Sequence, residues 1–341
     1  MKSFDQTYPL VPNDLGLSIP GNIPFFEVLI VLSFILHIIC VNVLVAGSVS
    51  AVYLRIKSWL HRDEVANQLG LRVATQVSIV KSIAVVLGIA PLLIISTIYT
   101  QYFYPSTILI GKWWLALIPL LIVAFLALYV FKFSWEKWSG KPVLHLSFGI
   151  FGAIILLFIP LLFVTNVTSM LHPELWMPER GFVGSLFAYP TIWQRYAHFL
   201  AASFSMFGIF IYWWGTRTSL AATSPVRIRA RQFGVNQAVL FTVLQLLAGP
   251  LLLISMPDQV RQAFMGGSLY HTTILSLAIG LAVVLTVYLF RLRCTHAKRD
   301  LLIVLALLVI VLGLMGTVRH EVRELHLAPH IQDMPRNIGG K

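Results

Sequence analysis

The sequence predicts an all-α fold, a polytopic transmembrane bundle of about eight spans with both termini on the outer side of the membrane. Three observations carry this. The 341 residues are 58% hydrophobic and only 11% charged, where an ordinary soluble domain is about 25% charged. Apolar runs of spanning length recur along the chain, giving a mean hydropathy of +0.83. The cations gather on alternate connections, which fixes the expected orientation.

Taken in order, the segment 1–22, MKSFDQTYPLVPNDLGLSIPGN, is polar and rich in turn residues. It does not have the layout of a cleavable signal peptide, so the first span is expected to serve as its own insertion signal. Spans are expected at 24–54, 73–99, 108–131, 143–167, 191–214, 234–256, 269–290 and 301–318. Together they form one membrane domain, 23–320, followed by an external tail, 321–341. Aromatic clusters agree with these boundaries. YTQYFYP closes the second span and IYWWG the fifth, where amphipathic rings favour the headgroup level. The longest connection, 168–190, holds three prolines and is expected on the outer side, as a lid or docking surface would be. No short repeat or low-complexity segment stands out.

The connections after spans one, three, five and seven hold fifteen of the 25 basic residues against Asp63, Glu64, Glu136 and Asp300, a balance of +11. The opposite side sums to zero. The net charge of +12 therefore reflects topology, and the basic stripe SPVRIRARQ has no accompanying fold for reading bases, which sets nucleic acid aside. Cys40 and Cys294 are the two cysteines. They cannot build a disulfide framework, a Cys-x-x-Cys-His attachment site or a thiolate zinc site.

Charged and imidazole side chains inside a span are costly, and each is a candidate site residue. His37 lies well within the first span, with no strong partner on its own helix; it is either a satisfied structural imidazole or a metal or haem ligand. His198, in QRYAHFLAASFSMFGIFIYWWG, shares a helical face with Ala201, Ala202 and Ser205. Those small residues suit a flat macrocycle beside the imidazole, and equally suit close packing of another helix. Arg195, one turn outward, is placed to pair with a carboxylate such as a haem propionate. His271 enters the seventh span at a depth that fits the same outer group. His145 begins the fourth span at the other side and reads as a boundary residue. Arg319 and Arg323 lie one turn apart at the outer end of the eighth span, as snorkelling anchors or as an anion site. Glu27 and Lys81 approach from opposite faces and are not expected to pair.

These residues resemble a known family. FFEVLIVLSFILHIICVNVLVAGSVSA is similar to the first helix of the haem-bearing subunit I of cytochrome bd quinol oxidases, and KSIAVVLGIAPLLIISTIYTQYF is similar to its second. LLFVTNVTSMLHPELWM resembles its fourth helix and QRYAHFLAASFSMFGIF its fifth. The resemblance covers about residues 20–215. It implies that His37 matches an axial ligand of a high-spin haem b and His198 one of a low-spin haem b. The chain also departs from the pattern. Its third span, GKWWLALIPLLIVAFLALYVF, lacks the family's paired glutamates, the connection PDQVRQAFMGGS replaces the long quinol-binding loop, and the methionine ligand and Gly-Arg-Gln-Pro-Trp motif have no counterpart.

The resemblance therefore implies a shortened, haem-binding relative in the inner (cytoplasmic) membrane. His37 and His198 would hold one or two haem b groups, with Arg195, Arg319 or Arg323 neutralising propionates. Electrons would pass between quinone or quinol and a separate c-type cytochrome docked on 168–190, with terminal oxygen reduction not expected. The rival reading is a non-redox transporter or scaffold. In it His37, Lys81 and Gln245 line a pathway, and the glycine-proline interruptions at Gly88 and Gly249, equivalent positions of a four-plus-four repeat, break their helices.

Overall fold

The computed structural model describes residues 11–12, 21–177 and 179–331. Among the described residues eight helices are long and apolar enough to cross a membrane. They are α1 (Ile23–His61), α2 (Glu64–Ile98), α4 (Gly111–Phe133), α5 (Pro142–Leu171), α7 (Ile192–Arg217), α8 (Pro225–Ile254), α10 (Leu269–Thr295) and α11 (Lys298–Ile331). Shorter helices, α3 (Thr100–Leu109), α6 (Gly181–Ala188) and α9 (Asp258–Gln262), sit in the connections. Among the described residues there are no strands. The expected spans are all present, and most helices run past the apolar runs that marked them. α1 carries Arg55 and Lys57 in its last turns, and α11 continues thirteen residues beyond the expected end at 318. A hydropathy window stops where the bilayer stops, whereas a helix continues until a cap or breaker ends it. The expected tail therefore begins as helix; residues 332–341, and most of 1–22, lie outside the described set.

Turns at the basic end are tight. Arg62 takes a left-handed conformation (φ 51°) between α1 and α2, and His296 does so (φ 52°) between α10 and α11. Asp63 then caps α2, its Oδ1 accepting from the Ala66 N–H at 2.9 Å, and accepts from Arg229 of α8 at 2.9 Å. The α2 cap sets the carboxyl below the usual carboxylate range, with Arg229 assisting.

The bundle is built from helical hairpins, α1 with α2, α4 with α5, α7 with α8 and α10 with α11, and α1 meets α7 at the centre. Asn42 and Ser203, 161 residues apart, touch there, the Ser203 hydroxyl donating to Asn42 Oδ1 at 3.0 Å. The same separation relates His37 to His198, Gly47 to Gly208, Gly88 to Gly249, and the helix-capping positions Asp63 and Ser224. The chain thus consists of two four-span halves that start from the same end. Close approach fixes both crossings. A Cβ on Gly47 would stand 2.7 Å from Val77 Cγ2, and one on Gly208 2.5 Å from the Ala238 backbone nitrogen; Val77 and Ala238 are again 161 apart. Small residues let membrane helices come this near. Pro91 and Pro250 lie inside continuous helices, so the interruptions on which the transporter reading rested do not break α2 or α8.

Candidate functional site

His37 and His198 occupy equivalent positions in the two halves, and each faces the partner helix of its own hairpin. On α1, His37 Nδ1 donates to the Ala84 carbonyl of α2 at 2.9 Å. Since a carbonyl only accepts, the proton is on Nδ1, and Nε2 keeps its lone pair. The ring lies against Gly88, where a Cβ would come within 2.8 Å of Cε1. On α7, His198 Nε2 is 3.3 Å from Gln245 Nε2 of α8. Gln245 is the positional equivalent of Ala84. His198 Nδ1 is buried with no partner among the described residues, and Cε1 lies 3.8 Å from a Cβ position on Gly249. One nitrogen anchored and one left open is the pattern of imidazoles that ligate a metal.

The three arginines come together at this end of the bundle. Thr191, a β-branched residue at φ 69°, sits in a region that costs such a side chain about 1–3 kcal/mol. That strained turn starts α7 and brings the Thr191 hydroxyl within 2.9 Å of Arg195 Nε, which donates to it. Arg195 Nη2 has no partner among the described residues. Arg319 lies over the Phe34 ring at 4.0 Å, within electrostatic reach of Arg195 and Arg323. Arg323 covers Tyr99 at 4.7 Å, with Nη1 unpartnered. Among the described residues no carboxylate forms an ion pair with any of the three. Arg323 is buried and Arg195 and Arg319 are half-buried; guanidinium groups withdrawn from water without counter-charge are costly, and the group suits an anion.

Other polar residues at this end had not been singled out from sequence. Tyr99 donates to Glu324. His172, just past α5, and His326, on α11, meet edge to face with ring centroids 5.5 Å apart. His172 Nδ1 bonds Glu174 Oε1 at 2.9 Å, and Glu174 Oε2 is 3.4 Å from His330. Burial pushes the His172 imidazole down, against the pull of Glu174. Asn166 Oδ1, Ser169 Oγ, His172 Nε2, His320 Nδ1 and His326 Nε2 are buried without partners among the described residues. With those on Arg195, His198 and Arg323 they concentrate unmet hydrogen-bonding capacity where α5, α7 and α11 converge. Arg319, Arg323, His326 and His330 follow one another at helical spacing. That stripe was the signal available in the sequence.

The remaining candidates stand apart. His271 does not join the group, because Nδ1 meets Ser268 Oγ at 2.8 Å and Nε2 meets Glu321 Oε2 at 3.2 Å. His145 is structural, receiving from Arg55 Nε and donating to the Phe131 carbonyl. Lys81 is buried over the rings of Tyr129 (3.7 Å) and Phe125 (4.6 Å), and no ion pair joins it to Glu27. Among the described residues no three His, Cys, Asp or Glu side chains converge as a metal site. Axial haem ligation needs only one or two.

No protein-family profile matches the chain, and neither does any curated protein. Among solved structures, bd oxidase from Geobacillus thermodenitrificans contains a chain similar to this one, with a TM-score of 0.63 and 13% identity. The match covers 90% of this chain and 88% of that chain, so the two are of similar length and correspond nearly end to end. The resemblance read from the spans holds at the level of architecture: the chain is an integral, multi-pass membrane protein with the fold of a bd oxidase chain.

Proposed function

We propose that the chain is a membrane b-type cytochrome of the inner membrane that relays electrons between quinone or quinol and a redox partner on the outer face. The observation that carries the reading is the pair His37 and His198: equivalent in the two halves, each anchored through one nitrogen and facing a glycine of the neighbouring helix. Haem b, when bound, supplies a one-electron carrier. The chain's own groups fit such a cofactor. His37 Nε2 and His198 Nδ1 offer lone pairs or sites for them, the second once the Gln245 amide is turned so that its oxygen accepts from Nε2–H. Arg195, Arg319 and Arg323 supply cationic hydrogen-bond donors that suit propionates.

Orientation follows the cation balance, which sets the α5, α7 and α11 ends outward. There the segment 168–190, which includes a 3₁₀ turn (Pro173–Leu175) and α6, offers a docking surface for a separate c-type cytochrome. The acid-free α4 and the short α8 to α10 connection argue against terminal oxygen reduction. The test is to mix the purified full-length protein with quinol, a soluble c-type cytochrome and oxygen. Reduction of the soluble cytochrome with negligible oxygen uptake is expected; robust oxygen uptake, or a protein that carries no haem, overturns the proposal.

A further inference from the structure

The contact between His172 and His326 is unexplained by the haem reading, which does not use either residue. His172 is 5% exposed and His326 8%. The tautomer of each ring is dictated by its partner. His172 Nδ1 faces a carboxylate and His326 Nδ1 faces the Val322 carbonyl at 2.6 Å, both acceptors, so both protons are on Nδ1. Both Nε2 atoms therefore carry lone pairs, and both are buried without a hydrogen-bond donor among the described residues. Two such lone pairs on adjacent rings are costly to leave unmet, and a carboxylate or backbone carbonyl on the far nitrogen is the usual orienting contact of a metal-bound histidine.

We propose that His172 and His326 form a two-imidazole site for a borderline-to-soft transition-metal ion, zinc(II) or copper(I), bound through both Nε2 atoms. The centroid spacing fits an ion held between the rings. With metal–nitrogen bonds of about 2.0–2.1 Å and a ring nitrogen about 1.1 Å from its centroid, each centroid lies about 3.2 Å from the metal. Trans ligation across a haem plane would then separate the centroids by about 6.3 Å, whereas tetrahedral to trigonal angles give about 5.2–5.5 Å. The observed 5.5 Å belongs to the second range. Glu174, held between His172 and His330, supplies negative charge against the nearby Arg195, whose field reaches both rings. Among the described residues no third ligand joins, so exchangeable ligands complete the coordination.

The test loads the full-length membrane protein with zinc(II), and separately with copper(I) under reducing conditions, followed by desalting and elemental analysis beside a haem assay. One equivalent of the added metal beyond haem iron is expected, lost in His172→Gln and in His326→Gln, and held 10- to 100-fold more weakly in Glu174→Gln. X-ray absorption on the loaded wild-type protein should show imidazole scattering from two histidines, a result that does not depend on any variant inserting correctly. Retention of the metal in both histidine variants, or absence of histidine scattering in wild type, overturns the proposal and leaves the rings as a proton-sharing pair. Loss of one haem, with no metal bound to wild type beyond haem iron, overturns it in favour of haem ligation. The outcome is independent of His37 and His198, so failure here and failure of the haem reading are separately visible.

Discussion

Adding one methyl group at Gly88 should disturb His37, whereas the same change at the equivalent Gly249 should leave His198 in place. In Gly88→Ala the new Cβ would stand 2.8 Å from His37 Cε1 and 3.1 Å from Nδ1, inside contact distance, so the imidazole must swing away from the Ala84 carbonyl. Overpacking of this kind costs about 1–3 kcal/mol, and the lost hydrogen bond about 0.5–1.5. Alanine returns up to about 1 kcal/mol through helix propensity, leaving a net loss of about 0.5–4.5 kcal/mol. In Gly249→Ala the nearest atom, His198 Cε1, is 3.8 Å away, an ordinary contact, so stability should hold or rise by up to about 1 kcal/mol. Thermal unfolding in detergent and haem content per protein measure the two variants side by side. The clash is specific to one ring, so His37→Ala should relieve it and the pair should be non-additive by about 1 kcal/mol or more. A Gly88→Ala protein with wild-type stability and haem content, or strictly additive substitutions, would refute the reasoning.

Arg195→Leu should leave haem bound and lower its reduction potential by tens of millivolts, because loss of a nearby positive charge favours the oxidised iron; redox titration reads the shift. Asp63→Asn should keep the α2 cap and lose the Arg229 pairing, a change of about 1 kcal/mol or less at this partly screened site. The wild-type carboxyl is depressed on folding, so its contribution is present above the unfolded value near 4 and lost as pH falls through the folded one. The variant should show a flatter acid limb in stability against pH. A reporter fused in the loop before Arg227 should read as cytoplasmic and one at the C-terminus as external; the reverse would move the polar group to the cytoplasmic side.

Much of the architecture was legible because the bilayer imposes it: an apolar run of spanning length has few alternatives to a helix. His37, His198 and Arg195 were legible for the same reason, since a polar side chain inside such a run stands out. His172 and His326 were missed where that logic stops. His172 follows the end of α5, and His326 lies in the part of α11 beyond the apolar run, where polar residues look like tail until the helix is seen to continue and turn its cationic stripe inward. The two-half architecture showed in the sequence only through the equivalence of Gly88 and Gly249 in a four-plus-four repeat, for a different reason. At the 161-residue separation the histidines and three glycine or capping positions correspond, but the apolar positions between them are freely interchangeable, so the repeat is carried by geometry. Gln245 and Ala84 show this well. They are unlike as residues, yet each contacts the equivalent imidazole.

The claim that these imidazoles hold haem is tested most directly by the reduced-minus-oxidised absorption spectrum of the purified full-length protein beside its His198→Ala variant. The account predicts b-type bands in the wild type, and in a correctly inserted His198→Ala protein the low-spin signal lost or converted to high-spin. A wild-type protein without a Soret band, or a variant whose spectrum matches wild type, would contradict it.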